Sequence, residues 1–538
     1  MTHDVIVVGS GPAAVHAATA LVEGGREVLM LDVGKTDSRY DGRVPSRAFR
    51  NIRETEADQY RYFLGDEFEG IPTGHTRVGA QLTPPRQYVL AAEAALSPLL
   101  ADGFVAAESL ALGGLGNAWG AGTFGFDEED LRAWPLSLNA LAPHYESVAH
   151  RIGIAAADDD LTPDFGHLAA ALPPLEVDAG AHELLRRYAR RRPALQARGF
   201  RLGRPPLAVC STEYRGRGPH PYWDMDFWSD ANRSVYRPRY TLAELTVGPR
   251  FTYRNRHLVT RFHEDADGVE VDVQDTSSGT VHSLRARTLV LAAGTLGTAR
   301  IVLRSVAPAG ARLPLLCNPY TYAPAVNVGM LGRAAPDRRH SLAQLASLYR
   351  HPSLQGDAAP RIQTQVYSYR SLLTFKLLRE APMGYRDGLR AIRLLLDAFA
   401  ILAINHADAP AAERYCTLER QAGMPGDALR VRYSHSEAER RDMDRRERGL
   451  LGCFRSLGCW HISRIRPGNG SSIHYAGTLP MRSDGRELST DIEGRLSGTQ
   501  RVHIVDGSVF PDLPAKGLTF TIMANADRVG ARLARQGR

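Results

Sequence analysis

Two groups of residues, near opposite ends of the chain, have the types and spacing to do chemistry. Gly9-Ser-Gly11-Pro-Ala-Ala14 follows the apolar run Asp4–Val8, and Asp32 ends a second apolar run that begins at Glu27. In such a turn Gly9 permits a sharp change of direction. Gly11 lets the backbone approach a pyrophosphate held at a helix N-terminus, and small Ala14 lets helix and strand pack closely. Asp32 stands where a carboxylate accepts hydrogen bonds from an adenosine ribose. Far away, Ser472-Ile-His474-Tyr-Ala-Gly477-Thr478 precedes Val502–Val505, Asp506 and Gly507. There a histidine stands just ahead of a strand and turn that can bring it to the same ligand.

Glycines also mark ordinary turns, so a lone glycine motif is weak. Here strand, turn, helix, strand and terminal acid occur in order within about thirty residues, as dinucleotide binding requires. Asp32 disfavours a 2′-phosphorylated cofactor but does not separate FAD from NAD.

Several elements must assemble to position these groups. Thr288–Gly294 reads as a buried strand followed by a helix over 296–304. Phe251–Phe262 and Val269–Val273 read as an antiparallel pair, Val502–Val505 as a further buried strand, and Thr519–Leu533 as a closing helix. In the middle, Arg361–Tyr369 alternates, with Gln363, Gln365, Tyr367 and Tyr369 on one face and Ile362, Thr364 and Val366 on the other. Leu389–Asn405, interrupted by Arg390, Arg393 and Asp397, reads as an amphipathic core helix. The expected fold is α/β: a discontinuous doubly wound nucleotide-binding domain (1–40, 90–155, 230–310, 455–538). Interleaved with it is an α+β substrate domain of antiparallel sheet plus helices (41–89, 156–229, 311–454).

A chain of 538 residues is too long for one simple core, and 43% hydrophobic with 23% charged residues is ordinary for a globular enzyme. With the first strand expected from residue 4, no cleaved leader is expected, and no apolar run reaches membrane-spanning length. Five cysteines without a CxxC pair suit a reducing cytoplasm and supply no metal site. The net charge of +7 is dispersed, with no basic tail or aromatic-interleaved stretch for nucleic acid.

With these residues in place, the chain resembles the glucose–methanol–choline (GMC) flavin oxidoreductase superfamily. The resemblance rests on four segments in order: the N-terminal turn; Gly113-Gly114-Leu-Gly-Asn117-Ala-Trp119-Gly-Ala-Gly122; Leu289–Gly294 through Arg300, with Val259 upstream; and His474-x-x-Gly-Thr followed by Asp506-Gly507 and the closing helix. It implies FAD that takes hydride from an alcohol carbon, and it makes His474 the base, a role suited to a group neutral near pH 7. It implies cofactor contacts from Gly9, Gly11, Ala14, Asp32, Gly114, Asn117, Val259, Gly294, Asp506, Gly507, Leu518 and Thr519. The first amides of the closing helix would face the negative charge of reduced flavin.

Two departures stand out. Where relatives place a second histidine or an asparagine, this chain has Gly517, beside Lys516. Only three of the 66 lysines and arginines are lysines, so Lys516 is a candidate second catalytic group, the alternative being a group from the middle domain. On that expectation Lys516→Met slows flavin reduction at least about tenfold. The glycine loop offers Asn117 in place of a flavin-linking histidine, so the FAD is expected to be non-covalent. Gln363, Gln365, Tyr367, Tyr369, His406 and His435 could hydrogen-bond a polyhydroxylated ligand. The resemblance points to a sugar, polyol or aminocyclitol glycoside, such as the primary 6′-hydroxyl of an aminoglycoside precursor. Oxygen or another acceptor would reoxidise the flavin. A non-redox FAD-containing lyase and a degenerate FAD-binding module stand as alternatives, and the sequence leaves the oligomeric state open.

Overall fold

The computed structural model describes residues 2–70, 83–91, 93–333, 338–352, 360–368, 384, 386–388, 390, 395–420 and 426–536. Its mixed α/β architecture is organised around two large sheets. The first has at its centre the strands Thr2–Val8 and Val281–Leu291, which run parallel. Val28–Leu31 and then Phe251–Arg254 extend it in parallel beyond Thr2–Val8. On the other side the N-terminal half of Val281–Leu291 pairs antiparallel with Val269–Asp275, which pairs with His257–Glu264. Its C-terminal half instead pairs in parallel with Val502–Ile504. Val5, Ile6, Val7, Leu289, Val290 and Leu291 are all buried, as strands covered on both faces require.

Residues 251–262 do not form one strand of a pair, as the sequence pattern suggested. Arg256 turns the chain with φ 60°, and the two pieces lie at opposite ends of the strand order. The helix Pro12–Glu23 packs on the closing helix Thr519–Gln536. Gly530 makes the close approach possible, since a Cβ there would lie 2.6 Å from the Ala17 carbonyl oxygen. Both helices therefore aim their N-termini at the same region.

The second sheet is antiparallel, in the order Cys459–His461, Tyr320–Asn327, Phe399–His406, Ile362–Ser368, Leu345–Tyr349, Phe200–Gly203. Ile362 and Val366 face a buried core with Leu402, Ile404, Phe200 and Phe454. The expected helix at 389–405 is corrected here: Phe399–His406 is a central strand. Its run of Ile401, Leu402 and Ile404 among small alanines packs on both faces of a sheet. That requirement overrides the weak helical spacing of its charges. Leu389 and Tyr369 lie outside the described residues. Among the described residues no helix is long and apolar enough to cross a membrane, and no cluster of side chains is arranged to hold a metal.

Candidate active site

A cavity of about 440 Å³ runs between the two sheets. One end is lined by Gly9, Gly11, Asp32, Val259 and Gly294, the other by Tyr320, Gln365, Tyr367, Asn405, His474 and Thr519. Gly9 has φ 99°, and a Cβ on it would lie 2.5 Å from the Ala292 carbonyl oxygen, so the turn closes against the neighbouring strand only with glycine. A Cβ on Gly11 would meet nothing within 4 Å. The missing side chain there leaves open space at the first turn of the helix, a cradle suited to a phosphate. Gly114, in the second glycine-rich segment, crosses so close above that its Cβ would be 3.4 Å from the Gly11 Cα.

Asp32 is held by hydroxyls from Ser10 and, at 3.2 Å, Tyr253. Burial outweighs these bonds and pushes its carboxyl up to about 7. Asp506 borders the cavity and accepts from the Thr298 hydroxyl at 2.6 Å and the Ser508 amide at 3.0 Å, capping the short turn Gly507–Val509. Gly507, Leu518 and Thr519 also line the wall. Two expected contacts lie behind it. Ala14 is buried between helix and sheet, and Asn117 is buried with its amide donating to the Leu112 carbonyl, which folds the loop.

His474 is positioned by strand register. Leu316–Cys317 pairs antiparallel with Tyr475–Ala476, Leu316 opposite Ala476 and Cys317 opposite Tyr475. Continuing that register sets Asn318 opposite His474. Ile473, a β-branched residue at φ 60°, turns the chain immediately before it, a strained conformation that persists only where the surroundings dictate it. His474 Nδ1 lies 3.0 Å from Asn318 Oδ1. The Asn318 amide group donates to the carbonyls of His406 at 2.7 Å and Pro514 at 2.8 Å. Both are pure acceptors, so the amide cannot flip, and its oxygen must face the histidine. His474 Nδ1 therefore carries the proton, and Nε2 keeps its lone pair. Among the described residues Nε2 has no protein partner. Desolvation pushes the imidazole down to about 4, so it is neutral near pH 7.

The slot of the absent second side chain is beside this histidine. A Cβ on Gly517 would lie 4.0 Å from His474 Cε1 and 3.1 Å from the Phe124 ring. Lys516, the expected substitute, is elsewhere. Its side chain is 1% exposed and bonds to the carbonyls of Gly125, at 3.2 Å, and Asp164, and to the carboxylates of Asp127, at 3.1 Å, and Asp130. Arg361 completes the cluster, bridging Asp127, Asp130 and Asp164. Lysine is drawn there because Asp130 and Asp164 are buried and Asp127 is partly so, and Arg361, with Arg201 on Asp164, leaves Asp127 and Asp130 open to a further cation. The cluster thus clamps the segment entering the closing helix. Removing one partner of a buried ion cluster costs about 3–5 kcal/mol. Lys516→Met should therefore lower stability by that order in a denaturant titration. The flavin reduction rate of its folded fraction should change far less than the ~10²-fold that begins the range for a general acid or base.

On the substrate side, Gln365 and Tyr367 line the cavity, and the Tyr367 hydroxyl donates to Gln365 Oε1 at 2.8 Å. Gln363 shares their face but is fully buried and stands behind the wall. His406 and His435 do not reach the cavity. His406 Nε2 pairs with Glu447 at 3.1 Å, and His435 borders a separate cavity of about 560 Å³. Sequence reasoning missed Asn318 and Asn405. The only signal for Asn405 was a polar residue closing an aliphatic run, and Asn318 carried none.

Residues 460–526 match a family model described as GMC oxidoreductase. The chain is 26% identical to 6′′′-hydroxyparomomycin C oxidase of Streptomyces lividus over 439 residues, covering 76% of this chain and 73% of the relative. It is 24% identical to paromamine 6′-oxidase of Streptomyces fradiae, covering 99% of this chain and 91% of the relative. Among solved structures, pyridoxine 4-oxidase from Mesorbium loti shares the fold, with a TM-score of 0.57, 17% identity and 99% of each chain covered.

Proposed function

The chain being an oxidoreductase of the GMC type, we propose that it binds FAD non-covalently along the cleft and oxidises a hydroxyl-bearing carbon of a sugar, polyol or aminocyclitol glycoside, with His474 as base. The observation that carries this reading is convergence on one cavity: the open cradle at Gly11, the start of the closing helix at Leu518 and Thr519, and a histidine whose Nε2 is bare. Bound FAD supplies the hydride acceptor at its N5.

The residues fit that group. Gly11, Gly114 and Gly294 leave room for the pyrophosphate at helix N-termini, Asp32 faces the ribose position, and Val259 flanks the adenine end. The first amides of the closing helix present donors and a positive dipole end to charge near the flavin pyrimidine. At the other end His474 Nε2 removes the hydroxyl proton of the substrate, and Asn318 holds the tautomer that makes this possible. Segments 1–40, 90–155, 230–310 and 455–538 form the doubly wound cofactor part in this reading. The middle sheet supplies the substrate wall, and oxygen or another acceptor reoxidises the cofactor. The names of the two Streptomyces oxidases favour a primary hydroxyl of an aminoglycoside precursor.

The test is anaerobic mixing of the FAD-loaded protein with a panel of sugars, cyclitols and aminoglycoside precursors while the flavin absorbance is followed. Bleaching by at least one hydroxylated compound, with the aldehyde or ketone recovered, is the expected outcome. Product formation with the flavin still yellow would replace oxidation with a lyase reaction.

A further inference from the structure

The cavity wall formed by the second sheet contains buried amide groups that the protein itself leaves unmatched. Tyr320, Asn405 and Gln363 lie directly opposite one another across three adjacent strands, and the next row is Tyr322, Ala403 and Gln365. Asn405 is 2% exposed and lines the cavity, yet its Oδ1 has no hydrogen-bond partner. Gln363, behind it, is 0% exposed, and neither its Oε1 nor its Nε2 has one. On the far side Gln363 faces Leu348, part of an apolar cluster with Phe124, Leu161 and Phe165. An amide pair desolvated against such a cluster loses its hydration without replacing it, a destabilising arrangement that persists at sites built for a ligand.

We propose that Asn405 and Gln363 form a recognition relay for a ring hydroxyl of the substrate, away from the carbon that is oxidised. This rests on the reading above that a hydroxylated compound enters the cavity. When the ligand enters, one end of the Asn405 amide meets the hydroxyl and the other turns to meet the Gln363 amide, so that Asn405 donates one bond and accepts one. Ala403, directly opposite Gln365 in the next row, leaves the space for the ring. The relay selects a neutral hydroxyl over a protonated amine. The described acidic residues lining the cavity are Asp32, Glu108 and Asp506. None of them belongs to the sheet that carries the relay, so an ammonium group there would lack a counter-charge.

The experiment compares the FAD-loaded wild type with Gln363→Met and Asn405→Leu. Each is measured for Tm without substrate and for equilibrium binding of the best polyol from the panel, its mono-deoxy analogues and the corresponding amino sugar. The relay predicts that Gln363→Met raises Tm, because an apolar isostere relieves the unmatched amide. The same change weakens polyol binding several-fold, and Asn405→Leu weakens it at least tenfold. One mono-deoxy analogue should bind wild type and variants alike, and the amino sugar with ammonium at that position should bind wild type more weakly than the polyol. A lower Tm for Gln363→Met together with unchanged polyol binding by both variants would overturn the proposal. If the polyol binds wild type, is lost by the variants and yet leaves the flavin oxidised, the relay stands and the oxidation reading falls. If no panel compound binds wild type, both fall.

Discussion

Replacing His474 by alanine should slow flavin reduction by ~10²–10⁴-fold, the range in which a positioned general base contributes. The effect belongs to the chemical step. His474 holds a bare Nε2 at the cavity wall, and its Nδ1 is committed to Asn318. In the proposed reading the second sheet supplies most of the substrate contacts, so the dissociation constant should move little. Stopped-flow reduction under anaerobic conditions separates the two quantities. The pH profile supplies an independent check. Desolvation pushes this imidazole down to about 4, and only its neutral form accepts a proton. In wild type the reduction rate should therefore be level from neutral pH down to about 6 and fall only as the pH drops toward about 4. A variant that reduces its flavin at the wild-type rate would remove His474 from the chemistry. A wild-type acid limb at 6.5 or above would show that the imidazole is not desolvated as described.

The second large effect is expected at Asn318, a positioning residue. Its amide oxygen faces His474 Nδ1 because its NH₂ is tied to the carbonyls of His406 and Pro514. Asn318→Leu removes the acceptor that fixes the tautomer and ring angle, and small misplacements of a reacting group cost ~10²-fold. Two buried carbonyls also lose their donor, so stability should fall by about 1–3 kcal/mol. Because fold damage alone could slow the reaction, the deciding measurement is the pH profile of Asn318→Asp. A carboxylate beside Nδ1 favours the imidazolium and should move the acid limb up by about one to three pH units. An unmoved limb, together with an unimpaired Asn318→Leu, would leave the asparagine with a structural role only.

The site was unevenly legible in the sequence. The cofactor turn could be read because its residues are local: Thr2 through Asp32 form one strand–turn–helix–strand unit whose spacing is imposed by the backbone. His474 could be singled out from the pattern around it, but its partner could not. The slot at Gly517 is empty and does adjoin the histidine ring. Nearness in sequence then suggested Lys516, whose side chain is drawn into the cluster of Asp127, Asp130 and Asp164. Asn318 reaches His474 across 156 positions, through a register that no local pattern specifies. Asn405 was hidden for a different reason. Its strand carries apolar residues on both faces, and a short apolar run does not by itself distinguish a buried strand from a helix.

By itself, then, the sequence determined the parts whose chemistry is set by neighbours along the chain. These are the glycine turn, the acid that follows it, the alternating face of Gln365 and Tyr367, and a histidine ahead of the closing strand and helix. Tertiary structure decided which distant groups complete them. Strand pairing put Asn318 on His474 and set Asn405 beside Gln363, while the demand of buried carboxylates for a cation took Lys516 out of the cavity. The physical reason is common to all three. Hydrogen bonds and ion pairs in a desolvated interior are satisfied by whatever the fold brings within about 3 Å, and that distance bears no relation to separation along the chain.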